Sequence, residues 1–261
     1  MAAIPAGIGV TEDGSLGNGG REFQTPKLRG AKGEAVLTTV CRALQSNEFT
    51  VNNDCGTHVH IDGKGLLPRT ISKDEPTSLK QLWAFYLAYE PVIHSFLPQG
   101  RRSNRYCYSL YKVAAIDKVK ACKTQRDIER LWYKAQHPRQ LDSRKSHHYD
   151  DSRYAGVNLH SLLGQKNVEI RYHSGTINAL KILHWVNLHT AILDRAALKV
   201  LPIEDSIAAL SLAIPDRTTR MFDALGLSQK TRDYLLARQT KFNSNCNESA
   251  LTDNETTICA E

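Results

Sequence analysis

Two histidines stand at i and i+2 in Cys55-Gly56-Thr57-His58-Val59-His60-Ile61-Asp62, a short apolar run that opens on a glycine. A strand sends alternate side chains to opposite faces, so both imidazoles share one face and Thr57, Val59 and Ile61 the other. Neighbouring imidazoles at a strand end can hold a metal or a phosphate. Further along, Val168-Glu169-Ile170-Arg171-Tyr172-His173 alternates in the same way, which places Glu169, Arg171 and His173 together. A carboxylate and a guanidinium beside a histidine pair suit an anion held with a metal.

If the strand carrying Glu22 joins these two in one sheet, the site gains a second carboxylate. Magnesium prefers oxygen ligands, keeps several waters and bridges carboxylates to substrate phosphates, whereas imidazole alone suits zinc better. Arginine forks bind phosphate and carboxylate and stabilise the charge on a moving phosphoryl group. Each motif alone is common. His-x-His occurs in strands without a ligand role, and Glu-x-Arg is often an ordinary cross-strand ion pair. Cys55 could serve as a ligand or nucleophile, although a small residue at a strand start is the commoner role. The adjacent pair His147 and His148 points in two directions in most backbones and reads as a surface feature. The sequence holds neither Gly-x-x-x-x-Gly-Lys-Ser/Thr nor Gly-x-Gly-x-x-Gly, which excludes a P-loop.

The elements that must position these groups can be read from periodicity. Val10 to Leu16 and Arg21 to Pro26 read as short strands joined by a glycine turn. Glu34 to Ser46 has helical spacing, with Val36, Leu37, Val40 and Leu44 on one face. After a polar loop from Gly63 to Glu75, the apolar stripe from Leu79 to Leu97 marks a strong helix that Pro98-Gln99-Gly100 ends. Its aromatic residues fit core packing better than a base-stacking platform. Thr124 to Gln136 reads as a basic amphipathic helix and Ser143 to Arg153 as a loop. Tyr154 to Leu159 and Asn167 to Tyr172 read as paired strands around a turn at Gly164. Asn178 to Val200 reads as a central buried helix, followed by helices at Ile203–Ala213, Asp216–Leu225 and Ser228–Gln239. Strands segregated from helices indicate an α+β fold with a largely antiparallel sheet and a helical C-terminal third. Residues 1–240 form one domain, and the polar, aperiodic segment 241–261 reads as a disordered tail.

Composition narrows the setting. At 261 residues and 41% hydrophobic the chain can bury a real core, and no apolar run approaches bilayer length. Met1 to Val10 lacks the basic start of a signal peptide, so a cytoplasmic protein is expected. Six cysteines without a Cys-x-x-Cys pair read as scattered free thiols. Residues 98–145 hold 13 Lys and Arg against 4 Asp and Glu, an excess of nine positive charges in a chain whose net charge is +7. Such a patch attracts polyanions such as nucleotides, nucleic acid or an acidic substrate.

Taken in order, Asp13-Gly14-Ser15-Leu16, Glu22-Phe23-Gln24-Thr25-Pro26, Cys55-Gly56-Thr57-His58-Val59-His60, Arg101 to Tyr106, Tyr154 to Leu159, and Val168-Glu169-Ile170-Arg171 with Gly175-Thr176 resemble the amidoligase family. This is a branch of the carboxylate–amine ligase superfamily, related to glutamate–cysteine ligase and glutamine synthetase. The resemblance spans roughly residues 10 to 200. It implies a glutamine-synthetase-like curved sheet, with nucleotide and metals on the concave face and helices packed on the other side. It also implies an ATP-dependent ligase that phosphorylates a carboxylate with Mg²⁺ and ATP, then lets an amine displace the phosphate.

Carried over by motif, the resemblance implies that Glu22, His58 and Glu169 bind metal. His60, Arg105 and Arg171 contact nucleotide or phosphate, and Arg171 and Arg102 act in catalysis. Small-molecule or peptide carboxylates and amines are the implied partners. Family members begin with a Gly-x-Glu-x-Glu strand that completes the metal set, and Gly7-Ile8-Gly9-Val10-Thr11-Glu12 carries no such pair. Two other functions compete: a metal-dependent hydrolase built on His58 and His60, and a non-catalytic nucleic-acid-binding protein that uses the basic patch.

Overall fold

The computed structural model describes residues 3–16, 19–71, 73–102 and 104–244. It shows a mixed fold of many helices and small antiparallel sheets, in keeping with the α+β class. Strands β1 (Gly9–Glu12) and β2 (Arg21–Gln24) form a hairpin by themselves, with Thr11 opposite Glu22. Phe23 packs edge-on to Phe49 at 5.0 Å beyond helix α1 (Gly30–Ser46). The second sheet has the order β3 (Gly56–Asp62), β5 (Asn167–Ser174), β4 (Val157–Asn158), every neighbour antiparallel. The supposition that Glu22 shares a sheet with His58, His60, Glu169 and Arg171 is therefore corrected. Strands β1 and β2, joined by a short connection, pair only with each other among the described residues.

Helix α2 (Thr77–Ser95) forms the centre of the molecule. Leu79, Leu82, Trp83, Tyr86, Leu87, Val92 and Ile93 are all fully buried, and so is polar Glu90. A short turn of helix, α3 (Gln99–Arg102), follows. Next come α4 (Ile116–Ala121), α5 (Gln125–Tyr133) and α6 (Pro138–Ser146). A capping box between Thr124 and Asp127 starts α5. The expected loop at 143–153 is partly helical, because Pro138 at the first turn of α6 is preset for a helix.

Between β4 and β5 lies a helix, α7 (Leu159–Gln165), where a turn was expected. The Asn158 side chain accepts the Ser161 amide and caps it, which cuts the expected strand down to two residues. Helix α8 (Ala179–Ala197) packs behind β3 and against α2. It is less enclosed than expected, since Leu180 is 53% exposed. Helices α9 (Ile203–Ala209), α10 (Ile214–Leu225) and α11 (Gln229–Ser244) close over α2. Residues 241–244, expected in a disordered tail, continue α11, and the rest of that tail lies outside the described residues. Cys41, Cys55, Cys107 and Cys122 are free thiols. Among the described residues no helix is long and apolar enough to cross a membrane.

Candidate active site

Strand β3 alternates cleanly. His60 and Asp62 are exposed and His58 faces the same way with its side chain 31% accessible, while Thr57, Val59 and Ile61 turn half-buried toward the core. On β5 the buried Val168, Ile170 and Tyr172 take the core side and Glu169 and Arg171 the outer side. Cross-strand pairing sets His60 directly opposite Glu169, and Asn158 of β4 flanks Glu169 from the other side. His58, His60, Glu169 and Arg171 thus share one face.

His173 does not join them, and the reason is a β-bulge. Thr57 pairs with His173 and Val59 with Ile170, so β5 has one residue more than β3 over this stretch. Tyr172 and His173 both turn inward as a result. Tyr172 donates its hydroxyl to Glu90 at 2.5 Å, and the His173 ring packs on Trp185 at 5.1 Å. Gly156 is required beneath Tyr172, because a Cβ there would lie 1.8 Å from the ring. Burial, more than the nearby cations Arg238, Lys181 and Arg101, lowers the His173 pKa to about 3.

Glu169 is the hub of the outer face. One oxygen accepts from Arg171 Nη1 at 2.6 Å and lies 3.2 Å from His58 Nδ1 and 3.7 Å from His60 Nε2. The other accepts from the Asn158 amide at 2.6 Å. Burial opposes its ionisation, yet Arg171, His58, the Asn158 amide and His60 together hold its pKa below the usual carboxylate value. His58 shifts to about 4, chiefly through burial and then Arg171, against the attraction of Glu169. At neutral pH its imidazole is therefore uncharged. Nδ1–H serves the carboxylate and Nε2 presents a lone pair. His60 Nδ1 lies 3.0 Å from Asn167 Oδ1, which orients that ring. Arg171 is braced by a bond from Nε to the Tyr106 carbonyl at 3.0 Å and sits over the Tyr154 ring.

The other candidates fall elsewhere. Glu22 is exposed on the separate hairpin. Arg102 donates to the carbonyls of Leu97 and Phe242 and ties α11 to the end of α2. Arg105 stacks on its neighbour Tyr106 at 4.6 Å, beside the Tyr106 carbonyl that holds Arg171. Sequence reading passed over two residues of this neighbourhood. Asn158 carries a signal in its Asn-x-x-Ser spacing before a helix. Arg101, buried beside the bulge of β5, carries none beyond membership of a basic run.

The basic segment 98–145 spends much of its charge internally. Arg144 forms a forked pair with Asp150 at 2.8 and 3.0 Å, Lys145 meets Glu129 at 2.6 Å, and Arg126 and Arg130 face Asp142 and Asp127. A cleft of about 560 Å³ lies between α4 and α5, bordered by Lys118, Arg130 and Lys134, and none of the outer-face residues line it.

The donor set does not fit a resident Mg²⁺. Glu169 is the only carboxylate bonded into the cluster among the described residues, and both its oxygens are engaged. Among the described residues no group of three His, Cys, Asp or Glu side chains is arranged to hold a metal. The arrangement is a neutral imidazole, a second imidazole and a guanidinium gathered around one buried carboxylate. It offers N–H donors and a lone pair to an anionic or acyl substrate.

A family model described as "Putative amidoligase enzyme" matches residues 14–193, more than half of the chain. No curated protein and no solved structure matches.

Proposed function

The chain belongs to the "Putative amidoligase enzyme" family, and from that premise we propose that it joins a carboxylate to an amine at the expense of ATP. In this reading the substrate carboxylate attacks the γ-phosphorus of ATP, giving an acyl phosphate and ADP. The amine then attacks the acyl carbon, and inorganic phosphate leaves with the C–O electron pair while the amine loses a proton. Magnesium enters with the triphosphate as part of the co-substrate, because triphosphate oxygens can supply the ligands that the protein face lacks.

The observation that carries the reading is the shared outer face of His58, His60, Glu169 and Arg171. A guanidinium has five N–H donors, and the two side-chain bonds of Arg171 leave donors for the oxygens of a transferred phosphoryl group. Glu169 holds Arg171 in place and keeps the His58 hydrogen on Nδ1. His60, the more exposed imidazole, is assigned to the phosphates, with Arg105 as a further cation at the margin. Arg102 receives no role in the chemistry.

The test is ADP release with MgATP against a panel of amino-acid and peptide carboxylates and of amines, with hydroxylamine added to trap an acyl phosphate as its hydroxamate. Carboxylate-dependent hydroxamate that disappears in Arg171→Lys is the expected result. Absence of nucleotide binding at millimolar MgATP would overturn the reading.

A further inference from the structure

Where β3 and β5 lose register, the single residue His58 spans both Arg171 and Tyr172. A bulge of this kind takes backbone groups out of the ladder and re-aims the side chains around it. The carbonyls of these two residues are met by one side chain. Arg101 donates from Nη2 to the Arg171 oxygen at 2.7 Å and from Nε to the Tyr172 oxygen at 3.1 Å. Arg101 is only 6% exposed, and α3 presents it at the end of the central helix.

Two features set this apart from ordinary packing. Arg101 makes no ion pair with a carboxylate among the described residues, and burial together with the nearby positive charge of Arg171 lowers its pKa against the opposing pull of Cys107. A buried cation beside another cation costs stability that an apolar side chain would not. On the opposite strand, Gly56 keeps the space open. A Cβ there would come within 3.0 Å of His58 Nε2 and 3.7 Å of Arg101 Nη2.

We infer that Arg101 is a positioning residue for the amide-forming site: its fork grips the two bulge carbonyls and so fixes Arg171 and His58 on the outer face. The inference rests on the reading of that face as the ligase site. The fork matters more than the charge, because two successive carbonyls match the rigid guanidinium and not a lysine ammonium.

Arg101→Lys tests it, with steady-state kinetics for MgATP and hydrogen exchange measured by mass spectrometry on the full chain. Turnover is expected to fall on the order of a hundredfold, the scale of a displacement of about 1 Å, with KM unchanged. Exchange should rise in 56–62 and 167–174 and stay unchanged in 203–225. Wild-type turnover in Arg101→Lys, or a loss confined to KM, overturns the inference. Should Arg101→Lys fail to fold, Arg101→Gln decides. Its amide can still donate to one bulge carbonyl but not to both, so a fall in turnover with raised exchange in 56–62 and 167–174 supports the inference, and wild-type turnover overturns it. Should the wild-type chain consume no ATP, the ligase reading fails, and the exchange arm alone judges the grip: local loss of protection upholds it, unchanged exchange refutes it.

Discussion

Glu169 serves three neighbours at once, so its removal should be costly in a specific way. Its side chain is 9% exposed and that of Arg171 13%, and deleting one partner of a buried pair costs about 3–5 kcal/mol. Glu169→Ala should lower the unfolding free energy by that amount in urea titration, and Glu169→Gln by less, since the amide can still accept from Asn158. The buried histidines set a pH dependence. His173 and His189 both have their pKa lowered to about 3, mainly by burial. The unfolded chain protonates both near the ordinary histidine value while the native one does not. Stability is therefore complete above about pH 6.5 and falls as the pH drops toward 3, by about 1.4 kcal/mol per pH unit for each histidine. Equilibrium unfolding at pH 7, 6 and 5 should show the decline, and His189→Phe should remove its own share of the slope, about 1.4 kcal/mol per pH unit, leaving that of His173. Among the site residues, His58, His60, Glu169 and Arg171 were legible because strand alternation is a local property. Arg101 was not, because which of three arginines in a basic run turns inward depends on how α3 leaves the central helix.

At the scale of elements, the three-stranded sheet is built around close approaches. Gly156→Ala would drive a methyl group into the fully buried Tyr172 ring. Overpacking of this kind costs about 1–3 kcal/mol, and here it also displaces the bulge, so both melting temperature and turnover should fall. The strands β3 and β5 were readable from their period of two. The bulge was not, because Glu169-x-Arg171-x-His173 looks regular in sequence and only the partner strand shows that one residue is extra. The helix α7 was mistaken for a strand and turn because its apolar run is short, and the Asn158 cap outweighed the β-like pattern. Glu22 was placed wrongly for a related reason: alternation identifies a strand but not its partner, and a strand closed by a short turn pairs with its neighbour.

At the scale of the molecule, the family-matched segment ends at residue 193, inside α8. The central helix α2 is nevertheless covered by α9, α10 and α11, which lie beyond it. Arg238 bonds the Phe96 carbonyl, and Gln239 reaches both Ser95 and Thr218. A chain cut at 193 would leave much of α2 open to water. It should be insoluble or lack a cooperative melting transition by circular dichroism, whereas a chain ending at 244 should melt as the full one does. The bulge has a consequence at this scale as well. It acts as a structural frameshift: residues before it read outward on odd numbers, residues after it on even ones. His173 faces the core, Gly175 passes tightly against Cys55, and α8 packs against β3. A chain with one residue fewer between Ile170 and His173 would pair without the bulge: its histidine would still face the core opposite Thr57, but the extra residue whose carbonyl Arg101 meets would be gone.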